Sequence, residues 1–202
     1  MARPTRQWIE GSLYHVFSRG SNRQAIFLNE GDYVEFDMLL AAAIRTYRLD
    51  AFGWSLMPNH WHGIFRCPSH GLSEFMQRVN HRYALRFDRR WGRTAHVFHN
   101  RFGAVLQKTE EQFLTTLRYV IRNPVEAGLC SSPLDARWTS FAATVGLVPA
   151  PEYLRASEIL EHFAPDLVHA RERFIAFVVG EAPGEGETRS VPLPPGWDPI
   201  AA

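Results

Sequence analysis

The sequence predicts an α+β fold in which short strands alternate with amphipathic helices. Three long segments carry apolar residues at helical spacing: residues 27–49, 70–93 and 109–130. Three short segments rich in aromatic and β-branched residues indicate strands: residues 13–18, 51–57 and 60–66. The order up to residue 66 is therefore strand, helix, strand, strand. The turn at Pro58 and Asn59 pairs the last two strands.

The helix ends also carry sequence signals. Asn29 or Asp32 can cap the first helix, because a short polar side chain accepts bonds from unpaired N–H groups of the first turn. Ser73 and Thr109 are the corresponding candidates in the second and third helices. Pro124 lacks an N–H and should break or kink the third helix.

The remaining segments are less regular. Residues 95–109 indicate a further strand or a broken pair of strands, and residues 157–180 indicate one or two helices. Residues 181–202 are rich in Gly, Pro and acidic residues, so we expect them to be extended or disordered.

The composition excludes several classes of protein. The chain has 202 residues, of which 46% are hydrophobic, enough for one good-sized core. We find no apolar run of about 18 residues and no secretory signal pattern, so we expect neither a membrane span nor secretion. Cys67 and Cys130 make neither a disulfide framework nor a metal-binding spacing, and a reducing cytoplasm is the expected location.

Positive charge is concentrated in the first two thirds of the chain. Residues 1–130 carry 17 Lys and Arg against 11 Asp and Glu, whereas residues 131–202 carry 5 against 10. Six arginines crowd the second helix: Arg78, Arg82, Arg86, Arg89, Arg90 and Arg93. Because arginine suits bidentate contacts to phosphate, this helix is predicted to contact nucleic acid, with a solvated helix face as the alternative.

The segment MPNHWHGI, residues 57–64, places His60 and His62 one residue apart at the start of a strand. In a strand, residues i and i+2 point to the same face, about 7 Å apart. Two imidazoles can therefore converge on one metal ion while Trp61 faces the other side. The pattern alone is weak evidence, because two polar residues at a strand end look the same.

Tyr119 on the third helix is a candidate nucleophile. Asn123 follows four residues later and shares its helix face. If that face meets the two histidines, Asn123 can supply an oxygen ligand to the metal. A phenol ionises near pH 10, and a metal or the neighbouring Arg118 and Arg122 would favour the phenolate. The alternative is a core tyrosine with its hydroxyl at the surface.

Five segments together resemble the HUH tyrosine transposases, and most of all the REP-associated branch: YHVFSRG, MPNHWHGI, HNRFGAVLQ, RYVIRNPVEAGL and WTSF. In that family a strand carries His-hydrophobic-His, matched here by His60 and His62. A later helix carries the catalytic tyrosine four residues before the Asn of an Asn-Pro-Val, matched by Tyr119 and Asn123. The resemblance covers residues 10–145. The remainder then divides into a helical C-terminal extension and a tail: residues 146–180 and 181–202.

The resemblance implies a ferredoxin-like antiparallel sheet with helices on one face. It also implies a DNA strand transferase and endonuclease that cleaves and rejoins single-stranded DNA near a hairpin. Tyr119 would attack the phosphate, giving a 5′-phosphotyrosine and a free 3′-OH. A divalent ion, Mg²⁺ or Mn²⁺, would be held by His60 and His62, with Asn123 inferred from its spacing as the third ligand.

The resemblance also points to DNA contacts. Similar proteins use the end of the first strand, here Arg19, near the tetranucleotide beside the hairpin. The other arginines expected at the DNA lie on the second and third helices: Arg78, Arg82, Arg86, Arg89, Arg90, Arg118 and Arg122. His15, in the first strand, has a structural role or approaches the DNA or the metal. Relatives include dimers and monomers, and the sequence leaves both a homodimer and a monomer open.

Two other functions stay open. The same RRM-like sheet could hold structured DNA or RNA through arginines without turnover. Alternatively, a metal could activate water for hydrolysis, with Tyr119 only a core residue. A covalent phosphotyrosine adduct would separate the transposase from both alternatives.

Overall fold

A four-stranded antiparallel sheet organises the protein in a computed structural model that describes residues 8–67, 71–94 and 96–180. The strands are β1 Leu13–Arg19, β2 Asp50–Met57, β3 His60–Arg66 and β4 Gly103–Leu106. The helices are α1 Glu30–Tyr47, α2 Leu72–Trp91, α3 Glu110–Glu126, α4 Phe141–Thr144, α5 Ala156–Glu161 and α6 Leu167–Val179. The order β1-α1-β2-β3-α2-β4 and the sheet order β2-β3-β1-β4 are the ferredoxin-like arrangement. The predicted fold class is confirmed.

β3 lies inside the sheet, between β2 and β1, and its two faces have different neighbours. Trp61 is fully buried, packs edge-on against Phe36 of α1 and donates its indole N–H to Asn80 of α2 at 3.2 Å. His62, the next residue, points to the opposite face, where the ring of Tyr119 on α3 lies 5.5 Å away. α1 and α2 thus cover one face of β3, and α3 lies against the other.

The two ends of α3 explain how it carries side chains to the sheet. The Thr109 side chain accepts a hydrogen bond from the Gln112 N–H at 3.1 Å, which confirms the predicted cap. The helix continues through Pro124, so the predicted break there is wrong. The proline is buried in the core and only the last turn lies beyond it. Gly128 then adopts a φ of +68° just beyond the helix end, and Asn123 lies inside the helix.

Of the caps predicted for α1 and α2, the first is confirmed and the second is wrong. The Asn29 side chain accepts from the Asp32 N–H at 3.1 Å, so Asn29 is the cap of α1. Ser73 does not cap α2, because that helix begins at Leu72. Its hydroxyl accepts a hydrogen bond from the Trp8 indole at 3.0 Å instead. The Ser73 hydroxyl, which the local sequence predicted as a helix cap, thus bonds to Trp8, 65 residues away in the sequence.

The C-terminal helices pack back onto α3. The predicted one or two helices of residues 157–180 are α5 and α6. Phe174 of α6 packs against Phe141 of α4, with ring centroids 5.6 Å apart, in the same core as the sheet. Residues 181–202, predicted to be extended or disordered, lie outside the described residues. No helix in the described part of the chain is long and apolar enough to cross a membrane.

The segment before α3 contributes β4, at the edge of the sheet beside β1. Within the described residues 96–109 the structure has this one short strand and an isolated bridge from Phe98 to Gly20. Of the two predicted alternatives, a further strand or a broken pair of strands, the segment therefore forms a single strand preceded by a bridge. Gly103 of β4 is the register partner of Phe17. A Cβ built on Gly103 would overlap the Phe17 ring, so the glycine leaves room for that ring.

We expect Gly103→Ala to lower the free energy of unfolding by about 1–3 kcal/mol, the usual cost of overpacking. Alanine is normally more stable than glycine inside a strand, so a lower free energy of unfolding would reflect overlap with the Phe17 ring. That ring also faces the rings of His15 and His62, with centroids 5.3 and 5.8 Å apart. Urea unfolding measures the effect. In a Phe17→Leu background the same substitution should cost much less, and an equal cost in both backgrounds would contradict this account.

Candidate active site

β3 and α3 bring together the four residues that the sequence predicted for the site. The rings of His60 and His62 are 5.0 Å apart, and those of His62 and Tyr119 are 5.5 Å apart. The Nε2 atom of His60 lies 3.4 Å from Oδ1 of Asn123. Both histidines and Asn123 are buried, and Tyr119 is half-buried. The helix face and the strand face on which the sequence argument depended therefore meet.

The contact between His60 and Asn123 has the character of two metal ligands. His60 Nδ1 lies 2.6 Å from Oδ1 of Asn59, and an amide oxygen only accepts, so Nδ1 carries the proton and Nε2 a lone pair. The Asn123 amide donates its Nδ2 to the Tyr119 carbonyl at 3.1 Å, which turns Oδ1 toward His60. These hydrogen-bond partners assign the tautomer and the amide orientation. Two acceptor atoms thus face each other, as the ligands of a cation do.

Burial keeps the two imidazoles uncharged. The pKa of His60 is lowered to about 4, first by burial and then by the positive charge of Arg19. The pKa of His62 is lowered well below its usual value by burial and by the neighbouring His60. At neutral pH both rings are therefore neutral, the form in which histidine binds metals.

The donor set of His60, His62 and Asn123 fits a divalent cation. It offers two imidazole nitrogens and one amide oxygen, and the opposed Nε2 and Oδ1 atoms already approach one point. No cluster of three or more His, Cys, Asp and Glu side chains suited to a metal occurs in the described ranges. Any cation here would thus rely on the amide as its third protein ligand.

Tyr119 is protonated in the isolated protein. Burial raises the pKa of its hydroxyl to about 12, while its hydrogen bond with Asn123 and the charge of Arg19 act in the opposite direction. The expectation that Arg118 and Arg122 would favour the phenolate is wrong. Their guanidinium groups are turned to the C-terminal end of α6.

Arg118 and Arg122 satisfy carbonyl groups at the end of α6. Arg118 donates to the carbonyls of Phe177 and Gly180 at 2.7 and 2.5 Å, and Arg122 donates to that of Val178 at 2.8 Å. The last carbonyls of a helix lack partners within it, so the two arginines fix α6 to α3. These contacts favour a structural role over the predicted DNA contact.

Arg19 places a positively charged side chain beside the site. It ends β1 directly opposite His60 in the strand register, and its charge lowers the pKa values of His60, His62 and Tyr119. A positive charge at this position favours a phosphate. Its contact with DNA stays a prediction.

The arginines of α2 fall into two groups. Arg86 pairs with Glu35 at 3.0 Å, and Arg90 pairs with the buried Asp32 at 2.7 Å, so both are committed to α1. The others follow one stripe of the helix and have no ion pair with any described residue: Arg78, Arg82 and Arg89. The predicted basic face is therefore narrower than the sequence indicated.

His15 also belongs to this face of the sheet. Its Nε2 atom lies 2.9 Å from Nδ1 of His62, and both side chains are buried. The sequence left His15 between a structural role and an approach to metal or DNA. Strand periodicity could assign its face, but only the pairing of β1 with β3 shows which ring it meets.

Comparisons with known proteins place this geometry in a family. The model for IS200-like transposases matches residues 9–123. Among solved structures, the fold is similar to a REP-associated tyrosine transposase bound to a REP hairpin. The TM-score is 0.61 at 20% identity, and the match covers 74% of this chain and 89% of that one. A search of curated proteins finds no match.

Two further solved structures are less similar in fold. A transposase-like protein from Deinococcus radiodurans gives a TM-score of 0.43 at 14% identity, over 59% of this chain and 95% of that one. The tRNA(His) guanylyltransferase of Saccharomyces cerevisiae gives 0.45 at 9% identity, over 88% and 82%.

The family match confirms the resemblance that the sequence motifs indicated. It spans more than half of the chain and includes the strand with His60 and His62 and the helix with Tyr119 and Asn123. The chain belongs to the IS200-like transposase family.

Proposed function

We propose that this protein cleaves and rejoins single-stranded DNA beside a hairpin, with Tyr119 as the nucleophile. Membership of a transposase family implies DNA cleavage and strand transfer in general terms. One observation supports the specific proposal most strongly. Tyr119 lies against His62, one helical turn from an Asn123 oxygen that faces the His60 lone pair. A nucleophile beside a cation site is the arrangement that phosphoryl transfer needs.

The reaction exchanges one phosphoester bond for another. The Tyr119 oxygen attacks phosphorus, the bond from phosphorus to the 3′ oxygen breaks, and the phenol loses its proton. The 3′ oxygen leaves as a free 3′-OH with one proton, and the phosphate stays on Tyr119 as a 5′-phosphotyrosine. Attack by a 3′-OH on this link reverses the process and releases the tyrosine. No external energy source is required in either direction.

We assign His60, His62 and Asn123 as the residues that hold a divalent cation. Such an ion, when bound, neutralises charge on the phosphate oxygens and favours the ionised phenol. Two of the three donors are nitrogens, so Mn²⁺ suits the set better than Mg²⁺, which prefers oxygen. Asn59 fixes the ring of His60, and the Tyr119 carbonyl fixes the amide of Asn123. The turn that carries the nucleophile therefore also orients a ligand.

The DNA contacts of the proposal come from Arg19 and from one stripe of α2. Arg19 lies at the end of β1 next to His60, where a phosphate beside the nucleophile would lie. Arg78, Arg82 and Arg89 follow a single helix stripe and pair with no acidic side chain in the described ranges, so we assign their charge to contacts with a DNA backbone. The REP-associated transposase of similar fold was solved with a REP hairpin, which supports a hairpin as the substrate here.

We expect Tyr119→Phe to abolish nicking of a labelled hairpin oligonucleotide and to leave its binding within about twofold, because only the attacking oxygen is lost. Mass spectrometry should find the 5′-phosphate adduct of the wild type on Tyr119. Tyr153→Phe, another half-buried tyrosine distant in sequence from the site, serves as the control and should cleave normally. Equal cleavage by Tyr119→Phe, or an adduct on another residue, would refute the assignment. Binding without any adduct would favour the non-catalytic module.

His60→Ala and Asn123→Ala should each reduce Mn²⁺-dependent cleavage by more than about 100-fold, since each removes a ligand rather than a supporting group. The measurement is the nicking rate across a Mn²⁺ titration. His169→Ala, an exposed histidine on α6, is the matched control. Wild-type cleavage that persists in excess chelator would refute the metal role.

Arg82→Gln should weaken DNA binding and reduce the slope of log K against log salt by about 1, the effect of losing one phosphate contact. Arg86→Gln is the matched control on the same helix, because Arg86 is already paired with Glu35 at 3.0 Å. Fluorescence anisotropy at several salt concentrations measures both. An equal change of slope in the two variants would show that the division of the basic face is wrong.

A further inference from the structure

His15 and His62 form a buried pair of imidazoles. His15 lies diagonally across the β1–β3 pair from His62, because Phe17 is the direct register partner of His62. The two rings are nearly parallel, with an interplanar angle of 23° and centroids 5.1 Å apart, and they meet through their nitrogen edges. His15 Nε2 and His62 Nδ1 lie 2.9 Å apart, so one proton is shared between them. Each ring is therefore restricted in both orientation and tautomer.

The pair determines which nitrogen of His62 can reach a cation. Nδ1 is occupied by the hydrogen bond with His15, so only Nε2 can serve as the ligand atom. A ring that binds through Nε2 keeps its proton on Nδ1. The proton between the two rings then belongs to His62, and His15 must be the acceptor.

We propose that His15 is a positioning residue that accepts the Nδ1 proton of His62 and thereby presents the Nε2 lone pair of His62 to the cation. This inference rests on the proposed function, because it takes His62 as a ligand. It places His15 outside the ligand set and assigns it a task that the family match does not specify.

The position of His15 suits it to this role. Its Nε2 atom is the one that faces Nδ1 of His62, at 2.9 Å, and both side chains are buried. A neutral acceptor also orients the ligand without adding negative charge, so a bound cation would keep its full charge for phosphate.

His60 has the same kind of support. Its Nδ1 is engaged by the neutral amide oxygen of Asn59, just as Nδ1 of His62 is engaged by His15. Both ligands would therefore be held through Nδ1 by uncharged acceptors, with Nε2 as the ligand atom in each case. Removing a hydrogen-bond partner of a metal-binding histidine typically weakens metal affinity by about 10- to 100-fold.

The tautomer can be measured directly. In metal-free, ¹⁵N-labelled wild-type protein, long-range ¹H–¹⁵N spectra distinguish a proton on Nδ1 from one on Nε2. We expect His62 to carry its proton on Nδ1. A proton on Nε2 of His62 would overturn the proposal, and this readout does not depend on cleavage or on metal.

Affinity for Mn²⁺ alone, measured by electron paramagnetic resonance, tests the consequence. His15→Phe keeps a ring but removes the acceptor, and should weaken Mn²⁺ binding by about 10- to 100-fold. His15→Gln offers an amide oxygen and should recover part of that loss. In a His62→Ala background, His15→Phe should have no further effect. Thermal unfolding of each variant reports whether it folds.

The outcomes separate this inference from the function on which it rests. Wild-type protein that fails to bind Mn²⁺ would contradict the metal assignment, and the tautomer of His62 would still decide the role of His15. Normal Mn²⁺ affinity in His15→Phe, or an equal loss with and without His62, would show that His15 only fills space.

Discussion

The two-residue period of β3 is the constraint on which the site depends. Trp61 lies between the two histidines and is fully buried under α1 and α2, where Asn80 accepts its indole N–H. Asn80 in turn donates to Ser18 of β1 at 2.7 Å. A register slip of one residue would turn the indole toward α3 and place both imidazoles in the apolar core. The apolar packing of one face therefore specifies the polar chemistry of the other.

α3 divides its own surface in a comparable way. Leu117 and Ile121 enter the core, Tyr119 and Asn123 face the histidines, and the arginines of the helix bind the end of α6. This last contact explains why residues beyond the family match matter for the site. The C-terminal helices hold the outer side of the helix whose inner side carries Tyr119. A cation-π contact between Arg118 and Phe177 adds to the same junction.

The sequence predicted features that depend on local periodicity and on paired motifs. Strand alternation assigned the face of His60 and His62, and the four-residue spacing placed Asn123 beside Tyr119. The predictions that failed or narrowed depended on distant partners. Ser73 bonds to Trp8, and Arg90 is committed to a carboxylate on α1, 58 residues away in sequence. No local pattern encodes such pairings, because they arise only when the elements pack.

The orientation of α3 against the sheet also could not be predicted from local sequence. Helical phase alone did not decide whether Tyr119 is a core residue or a nucleophile. The amide of Asn123 shows the same limit. Its spacing predicted a ligand, but the bond from its Nδ2 to the Tyr119 carbonyl, which turns the oxygen toward His60, follows from packing. Sequence patterns thus identified the participants, and tertiary structure determined their orientation.

Burial has opposite consequences for the two kinds of group at this site. It lowers the pKa of His60 to about 4, which keeps a lone pair available for a cation at neutral pH. It raises the pKa of Tyr119 to about 12, which keeps the phenol protonated and a poor nucleophile. A nearby positive charge lowers the pKa of both kinds of group, so it reinforces the effect of burial on the imidazoles and opposes its effect on the phenol. Arg19 supplies part of that positive charge. A bound divalent cation would supply the remainder, because neutral ligands without carboxylates do not reduce its charge. Under the proposed function, Tyr119 therefore becomes a competent nucleophile only when a cation occupies the site, which ties cleavage to cation binding.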